Sequence, residues 1–165
     1  MHITKHFTLH EVSKSDTASR LNIDNTPSTE VIVRAIQLAH HILEPVREHF
    51  GIPFSPNSWF RCEELEKVIT HVSFQAWAKK HGLDGSLEQT WKDYFERKSH
   101  PRGEAADIEI PGINNDDLYH WIRDESGLEF DQLIREFRKA GDPNSGWVHV
   151  SFRINNNRNQ AFNIE

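Results

Sequence analysis

The chain has 165 residues, of which 36% are hydrophobic and 27% are charged, and its formal net charge at pH 7 is -6. This length favours a single domain that covers residues 1–165, and the composition is that of an ordinary soluble protein. A negative charge without a basic stripe argues against a nucleic-acid binder. No apolar run is long enough to cross a bilayer, and the first residues lack the apolar stretch of a secretory signal. We therefore expect synthesis in the cytoplasm and no membrane role.

Cysteine is nearly absent, whereas histidine is abundant. Cys62 is the only cysteine, and the chain has 11 histidines. A single cysteine cannot form an intramolecular disulfide and excludes a cysteine-rich zinc site. Any transition metal would therefore be bound by histidine and carboxylate side chains.

Predicted helices dominate the first part of the chain. Helical spacing of apolar residues, N-capping residues and glycine stops define them. They cover residues 8–15, 28–49, 63–80, 86–97 and 114–125. Ser28 and Ser86 are the expected N-caps of the second and fourth helix. Pro45 is expected to kink the second helix, and Gly51 to end it.

Predicted strands follow, mostly in the last third. They cover residues 105–110, 130–137, 147–154 and 159–164, and the proline-containing segment 52–60 reads as an edge or irregular strand. Asn155, Asn156 and Asn157 form a turn, so the last strand is expected to return as a hairpin partner. Helices first and strands later predict an α+β fold, with N-terminal helices packed on a small antiparallel sheet.

Two histidines and an aspartate have a pattern that fits a metal site. His100 precedes a predicted strand that carries Asp107, and Gly103 between them allows the loop to fold back. His149 lies in the middle of another predicted strand. Two histidines and one carboxylate are a common ligand set for catalytic zinc, with the fourth position left for water. The spacing alone favours the alternative, in which His100 is a loop histidine and His149 is a core histidine with one hydrogen-bond partner.

Several sequence blocks resemble the D-Ala-D-Ala carboxypeptidase family of zinc peptidases, which includes phage endolysins that cut the L-alanyl-D-glutamate bond of peptidoglycan. The blocks occur in the family's order and are residues 6–12, 15–18, 25–27, 43–47, 58–61, 99–107, 130–137 and 147–152. The resemblance implies a Hedgehog/DD-peptidase-like fold and zinc-dependent hydrolysis of peptidoglycan stem peptides. The small size and the lack of a secretory signal fit a phage or prophage lysin released through a membrane pore, and we expect a monomer. A zinc-binding domain of the same fold that binds a cell-wall or protein partner without cutting is the alternative.

The resemblance assigns roles to individual residues. His100, Asp107 and His149 would bind one Zn²⁺ ion. Arg61 would contact the scissile carbonyl or a substrate carboxylate, for which a guanidinium is suited; a surface ion pair with Glu63 or Glu64 is the alternative.

Two further residues are expected to contact the substrate. Ser99 would hydrogen-bond it or, alternatively, support His100. Gln132 would contact it from the strand predicted at 130–137.

The general base departs from the family pattern. The better-known members carry an acid three positions before the last zinc-binding histidine, where this chain has Gly146. The branch that it resembles carries an acid on the preceding strand, which is Glu136. We expect Glu136 to be the base, with a structural ion pair as the alternative. Asp131 and Asp142 are the reserve candidates, although Asp142 reads most simply as part of a turn.

Residues 72–98 are a second departure, because the family branch has a short loop there. They contain five aromatic residues: Phe74, Trp77, Trp91, Tyr94 and Phe95. The simpler interpretation is an added helical hairpin that packs its own aromatic side chains. The alternative is that this insertion walls the cleft and selects the substrate.

Overall fold

The computed structural model of the protein describes residues 1–165 and has an α+β fold, with helices beside one four-stranded sheet. The α-helices are α1 (Leu9–Ser13), α2 (Asp16–Leu21), α3 (Thr29–Leu38), α4 (Glu44–Phe50), α5 (Glu63–Lys80), α6 (Glu88–Phe95) and α7 (Asn115–His120). The strands are β1 (Ala105–Ile108), β2 (Gln132–Glu136), β3 (Trp147–Ser151) and β4 (Gln160–Ile164). None of the helices combines the length and the apolar character needed to span a bilayer.

The sheet has the order β1-β3-β2-β4 and is mixed. β3 pairs antiparallel with β1 and with β2, whereas β4 runs parallel to β2. The predicted all-antiparallel sheet and the predicted final hairpin are therefore wrong. The chain after β3 is bound to the start of β2, because Arg158 pairs with Asp131 and the Asn159 N–H donates to the Phe130 carbonyl. These contacts bring β4 to the free edge of β2.

The main core lies between the sheet and the predicted helix 28–49, which is continuous but changes its winding. Ser28 caps α3, a π-helical turn follows at Ala39–Leu43, and α4 ends at Gly51 with a φ of 65°. The turn ends two residues before Pro45, which lacks the N–H that a regular helix would use there. The core includes Leu38, Ile42, Leu43 and Val46 from this helix and Leu133, Val148 and Val150 from the sheet.

Helices α5 and α6 form a hairpin with its own aromatic cluster. α5 has the predicted bounds, but α6 begins later than predicted, because the Ser86 N–H and hydroxyl both donate to Asp84. Ser86 is therefore not the N-cap. The cluster consists of Phe74, Ala78, Trp91 and Tyr94, with Trp77 and Phe95 against it. It is separate from the main core, which confirms a helical hairpin that packs its own aromatic side chains.

Candidate metal centre

Two paired strands and a tight turn bring His100, Asp107 and His149 together. Asp107 on β1 lies directly opposite His149 on β3. His100 begins a single 3₁₀ turn, His100–Arg102, which Gly103 ends with a φ of 74°. A Cβ atom at Gly103 would lie 2.7 Å from the Val31 carbonyl oxygen, so glycine is required there by both conformation and space. This turn places His100 beside Asp107.

The spacing of the three side chains fits a metal ion. Oδ1 of Asp107 lies 2.9 Å from Nδ1 of His149 and 3.2 Å from Nε2 of His100. All three ligand atoms lie within 4.8 Å of one another, and all three residues are buried. Tetrahedral ligands at about 2.0–2.1 Å from zinc lie roughly 3.3 Å apart. This buried His100-Asp107-His149 group could therefore hold a metal ion, as the sequence pattern predicts.

The backbone of Trp59 determines which nitrogen His100 offers. Nδ1 of His100 lies 2.6 Å from the Trp59 carbonyl oxygen. A carbonyl can only accept, so Nδ1 carries the proton and Nε2 keeps a free lone pair. Burial lowers the pKa of His100, and the charge of Arg61 lowers it further, against the opposing effect of Asp107. His100 is thus neutral, which is the form that binds metals.

Asp107 is ionised despite its burial. Burial raises the pKa of Asp107, but His100, His149 and Arg61 outweigh it and hold that pKa well below its usual range. Nη2 of Arg61 donates to Oδ2 at 2.6 Å, while Oδ1 faces the two imidazoles. The Asp107 carboxylate is therefore held with Oδ2 toward Arg61 and Oδ1 toward the two histidines.

Arg61 is held on three sides. Besides Asp107, its Nε donates to Ser58 Oγ at 2.8 Å, and its Nη1 lies 3.5 Å from Oε2 of Glu66. The alternative of a surface ion pair with Glu63 or Glu64 is wrong, because only 12% of the Arg61 side chain is exposed and its acidic partners are buried. Arg61 supports Asp107, and its accessible edge lines a cleft.

That cleft, of about 540 Å³, opens at Asp107 and Arg61. Its walls come from the segment that joins α1 to α2, from residues 55–58, from α5 and from β3. The remaining lining residues are Lys14, Ser15, Asp16, Thr17, Ser55, Pro56, Asn57, Ser58, Ile69 and Trp147. The cleft reaches Asp107, whereas His100, His149 and Glu136 do not line it.

Glu136 lies beside the metal-binding group on the other side of β3. It pairs in register with Trp147, and its Oε1 is 3.9 Å from Nδ1 of His149. Burial raises the pKa of Glu136, and Asp107 raises it further, against the effects of His149, Arg61 and Lys98. The only basic side chain in contact with the carboxylate is His149. A partly exposed carboxylate of raised pKa at this position can accept a proton and release it again.

Position 146 has no room for a side chain. Gly146 has a φ of 57°, and a Cβ atom there would lie 1.8 Å from the carbonyl oxygen of Glu136. The acid that the resembled family carries at this position therefore cannot exist on this backbone. The close approach of Gly146 to Glu136 also fixes the end of β2, from which the Glu136 side chain projects.

The reserve candidates for the base lie elsewhere. Asp131 is fully buried and pairs with Arg153 and Arg158. Asp142 lies in an exposed turn, where its Oδ1 accepts the N–H of Asn144. Neither aspartate contacts the His100-Asp107-His149 group.

The two expected substrate contacts have other partners. The Ser99 carbonyl accepts the N–H groups of Arg102 and Glu104, so Ser99 shapes the turn that carries His100. Nε2 of Gln132 donates to Oε1 of Gln160 on β4 at 3.2 Å. Substrate contact by either residue stays a prediction.

Trp59 and Glu66 were not predicted to support the site. The role of Trp59 depends on its backbone carbonyl, which leaves no sequence signal. Glu66 does leave a sequence signal, because it lies on the same buried face of α5 as Thr70, Phe74 and Ala78, at intervals of four residues. A charged residue on such a stripe is a candidate for a buried pair.

Comparisons with known proteins identified no relative of this chain. No protein-family model, curated protein or solved structure matched it.

Proposed function

We propose that this protein is a zinc-dependent peptidase that hydrolyses peptide bonds in peptidoglycan stem peptides. The observation that carries the proposal is the buried His100-Asp107-His149 group with Glu136 beside it and a cleft leading to Asp107. Two imidazoles and a carboxylate accept several divalent metals, zinc among them in catalytic sites. The choice of zinc comes from the family resemblance. A group of three ligands leaves a position for water.

Glu136 and Arg61 have different roles in the proposed hydrolysis. When bound, zinc acts as a Lewis acid and lowers the pKa of a water molecule in its open position. Oε1 of Glu136 takes a proton from the attacking water as its oxygen bonds to the peptide carbonyl carbon. The same carboxyl group gives that proton to the amine nitrogen as the carbon–nitrogen bond breaks. Arg61 keeps Asp107 in position and offers its exposed edge to a substrate carbonyl or carboxylate.

The substrate class comes from the family resemblance, which the arrangement of the sequence blocks supports. Residues 58–61, 99–107 and 147–152 are distant in sequence, yet each contributes side chains to the one centre. We therefore propose a variant of the Hedgehog/DD-peptidase-like fold, in which β4 is added parallel to β2. An endolysin of a phage or prophage, released to the wall through a membrane pore, is the proposed biological setting.

The α5–α6 hairpin is the proposed selector of substrates. Lys98, the last residue of the insertion, acts electrostatically on Glu136, and Ile69, one turn before the insertion on α5, lines the cleft. The aromatic cluster of the hairpin is separate from the main core, so residues 72–98 can be replaced by a short loop without opening that core. The replacement should change the preference among stem peptides, and an unchanged preference would reject this role.

The test of the function is release of amino termini from purified peptidoglycan by the zinc-loaded protein. We expect release that a chelator abolishes and added zinc restores. Glu136→Gln should keep the metal and lose turnover by about 10²- to 10⁴-fold. Glu125→Gln, which changes an exposed glutamate, is the matched control and should retain activity.

A zinc-binding protein that does not cut is the second candidate. It is favoured by the absence of an acid at Gly146 and by the engagement of Arg61 with Asp107. Full metal occupancy without release from peptidoglycan of any chemotype would support it. Near-normal turnover in Glu136→Gln would instead support the peptidase activity and reject Glu136 as its general base.

A further inference from the structure

Glu66 is a buried charge whose role the proposed chemistry does not explain. It lies in the first turn of α5 and is only 1% exposed, whereas Glu63 and Glu64 in the same turn are exposed. Its one charged partner is Arg61, and its buried Oε2 has no hydrogen-bond partner. Burying a carboxylate is strongly unfavourable unless a charged or hydrogen-bonding partner offsets the lost hydration. The placement of Glu66 therefore depends on Arg61.

Glu66, Arg61 and Asp107 form a continuous chain of charges that ends at the metal-binding group. Nη1 of Arg61 faces Glu66 at 3.5 Å, and its Nη2 donates to Oδ2 of Asp107 at 2.6 Å. The other oxygen of Asp107 contacts both histidines. The orientation of Asp107 thus depends on Arg61, and the orientation of Arg61 depends on Glu66.

We propose that Glu66 is a positioning residue that sets the metal affinity of the site through Arg61. The inference rests on the metal centre of the proposed function and is independent of which peptide is cut. Glu66 holds the guanidinium in the geometry that aims Asp107 at the histidines.

The experiment measures the zinc dissociation constant by competition with a chromophoric chelator. Glu66→Gln, which removes the charge and keeps the size, should weaken zinc binding by about tenfold, the lower end for outer-shell partners. Glu64→Gln changes an exposed acid of the same turn and should stay within about twofold of wild type. In the Arg61→Gln background, Glu66→Gln should change affinity by less than about twofold, because its partner is absent.

Unchanged affinity in Glu66→Gln with a lowered melting temperature would show an ion pair that only stabilises the fold. An equal loss in both backgrounds would show that Glu66 does not act through Arg61, and either result overturns the inference while the proposed function stands. A wild-type protein that binds no zinc would instead overturn the metal centre and this inference with it. If Glu66→Gln does not fold, Glu66→Asp replaces it, with an expected loss of about threefold.

Discussion

Two buried aspartates, Asp107 and Asp131, lie near β3 and have different partners. Asp107 sits opposite His149 in the middle of the strand, and its Oδ1 contacts His100 and His149. Asp131 donates its backbone N–H to Ser151 at the end of the strand, and its carboxylate pairs with Arg153 and Arg158. In both, burial raises the pKa, and the basic partners outweigh it and lower the pKa below the usual value.

The partners decide what each carboxylate can do. Arginine is always charged and has only donors, so the two arginines leave Asp131 neutralised and without affinity for a cation. A neutral histidine keeps one lone pair, so the imidazoles beside Asp107 add ligands to it. Burial and charge alone therefore do not distinguish a metal site from a structural ion pair. The type of basic residue around the carboxylate distinguishes them, because histidines can share a metal ion with it and arginines cannot.

The largest expected effect comes from removing one imidazole. His149→Ala should weaken zinc binding by about a thousandfold or more, since three ligands together supply the binding free energy. A chelator competition assay measures it, with circular dichroism to verify folding. His120→Ala is the matched control, because that histidine is exposed and its polar partners, Arg123 and Asp124, are exposed as well. Zinc binding that survives in His149→Ala would show that the metal lies elsewhere.

A second prediction tests how the backbone holds Glu136 beside the Asp107 group. Gly146→Ala should lower the free energy of unfolding by about 3 kcal/mol, because its Cβ would meet the Glu136 carbonyl at 1.8 Å. Gly112→Ala should cost about 1 kcal/mol, because Gly112 has a φ of 79° but open space around it. Denaturant unfolding compares the two variants. Equal costs would show that the close approach to Glu136 has no energetic consequence.

A third prediction concerns the arginine-paired aspartate. Asp131→Asn should lower the free energy of unfolding at pH 7 by about 2 kcal/mol, because it leaves two partly exposed arginines without their partner. The folded pKa of Asp131 is lowered, so its stabilisation is present above the ordinary value and is lost as the pH falls through the folded one. The difference from wild type should shrink below about pH 4.

The measurement is urea unfolding at a series of pH values, together with the zinc dissociation constant at pH 7. Zinc affinity of Asp131→Asn should equal that of the wild type. A destabilisation that is independent of pH would contradict the ion-pair account of Asp131. A loss of zinc affinity would contradict the separation of the two carboxylates.

The features that sequence could predict are those that local pattern determines. The bounds of α5, the capping of α3 by Ser28 and the end of α4 at Gly51 follow from helical spacing, capping and glycine stops. The grouping of His100, Asp107 and His149 was expected from the family resemblance, not from their spacing, and the structure brings the three together. Asp107 and His149 meet because β1 and β3 pair in register, and His100 joins them from a separate turn.

The features that sequence missed depend on contacts between distant residues. β4 has an exposed face and pairs with β2 because Arg158 and Asn159 bind the start of that strand, which no alternation pattern reveals. The support of His100 comes from a backbone carbonyl. The partner of Arg61 is Glu66 rather than Glu63 or Glu64, since helical phase turns only the third of these acids inward.

The most direct test of the metal centre is the anomalous diffraction of zinc-loaded crystals. We expect one strong peak about 2.0–2.2 Å from Nε2 of His100, Oδ1 of Asp107 and Nδ1 of His149. The Glu136 carboxylate should lie within about 2.6–3.2 Å of a water molecule in the fourth position. A peak at other histidines, or none between these three side chains at saturating zinc, would contradict the account.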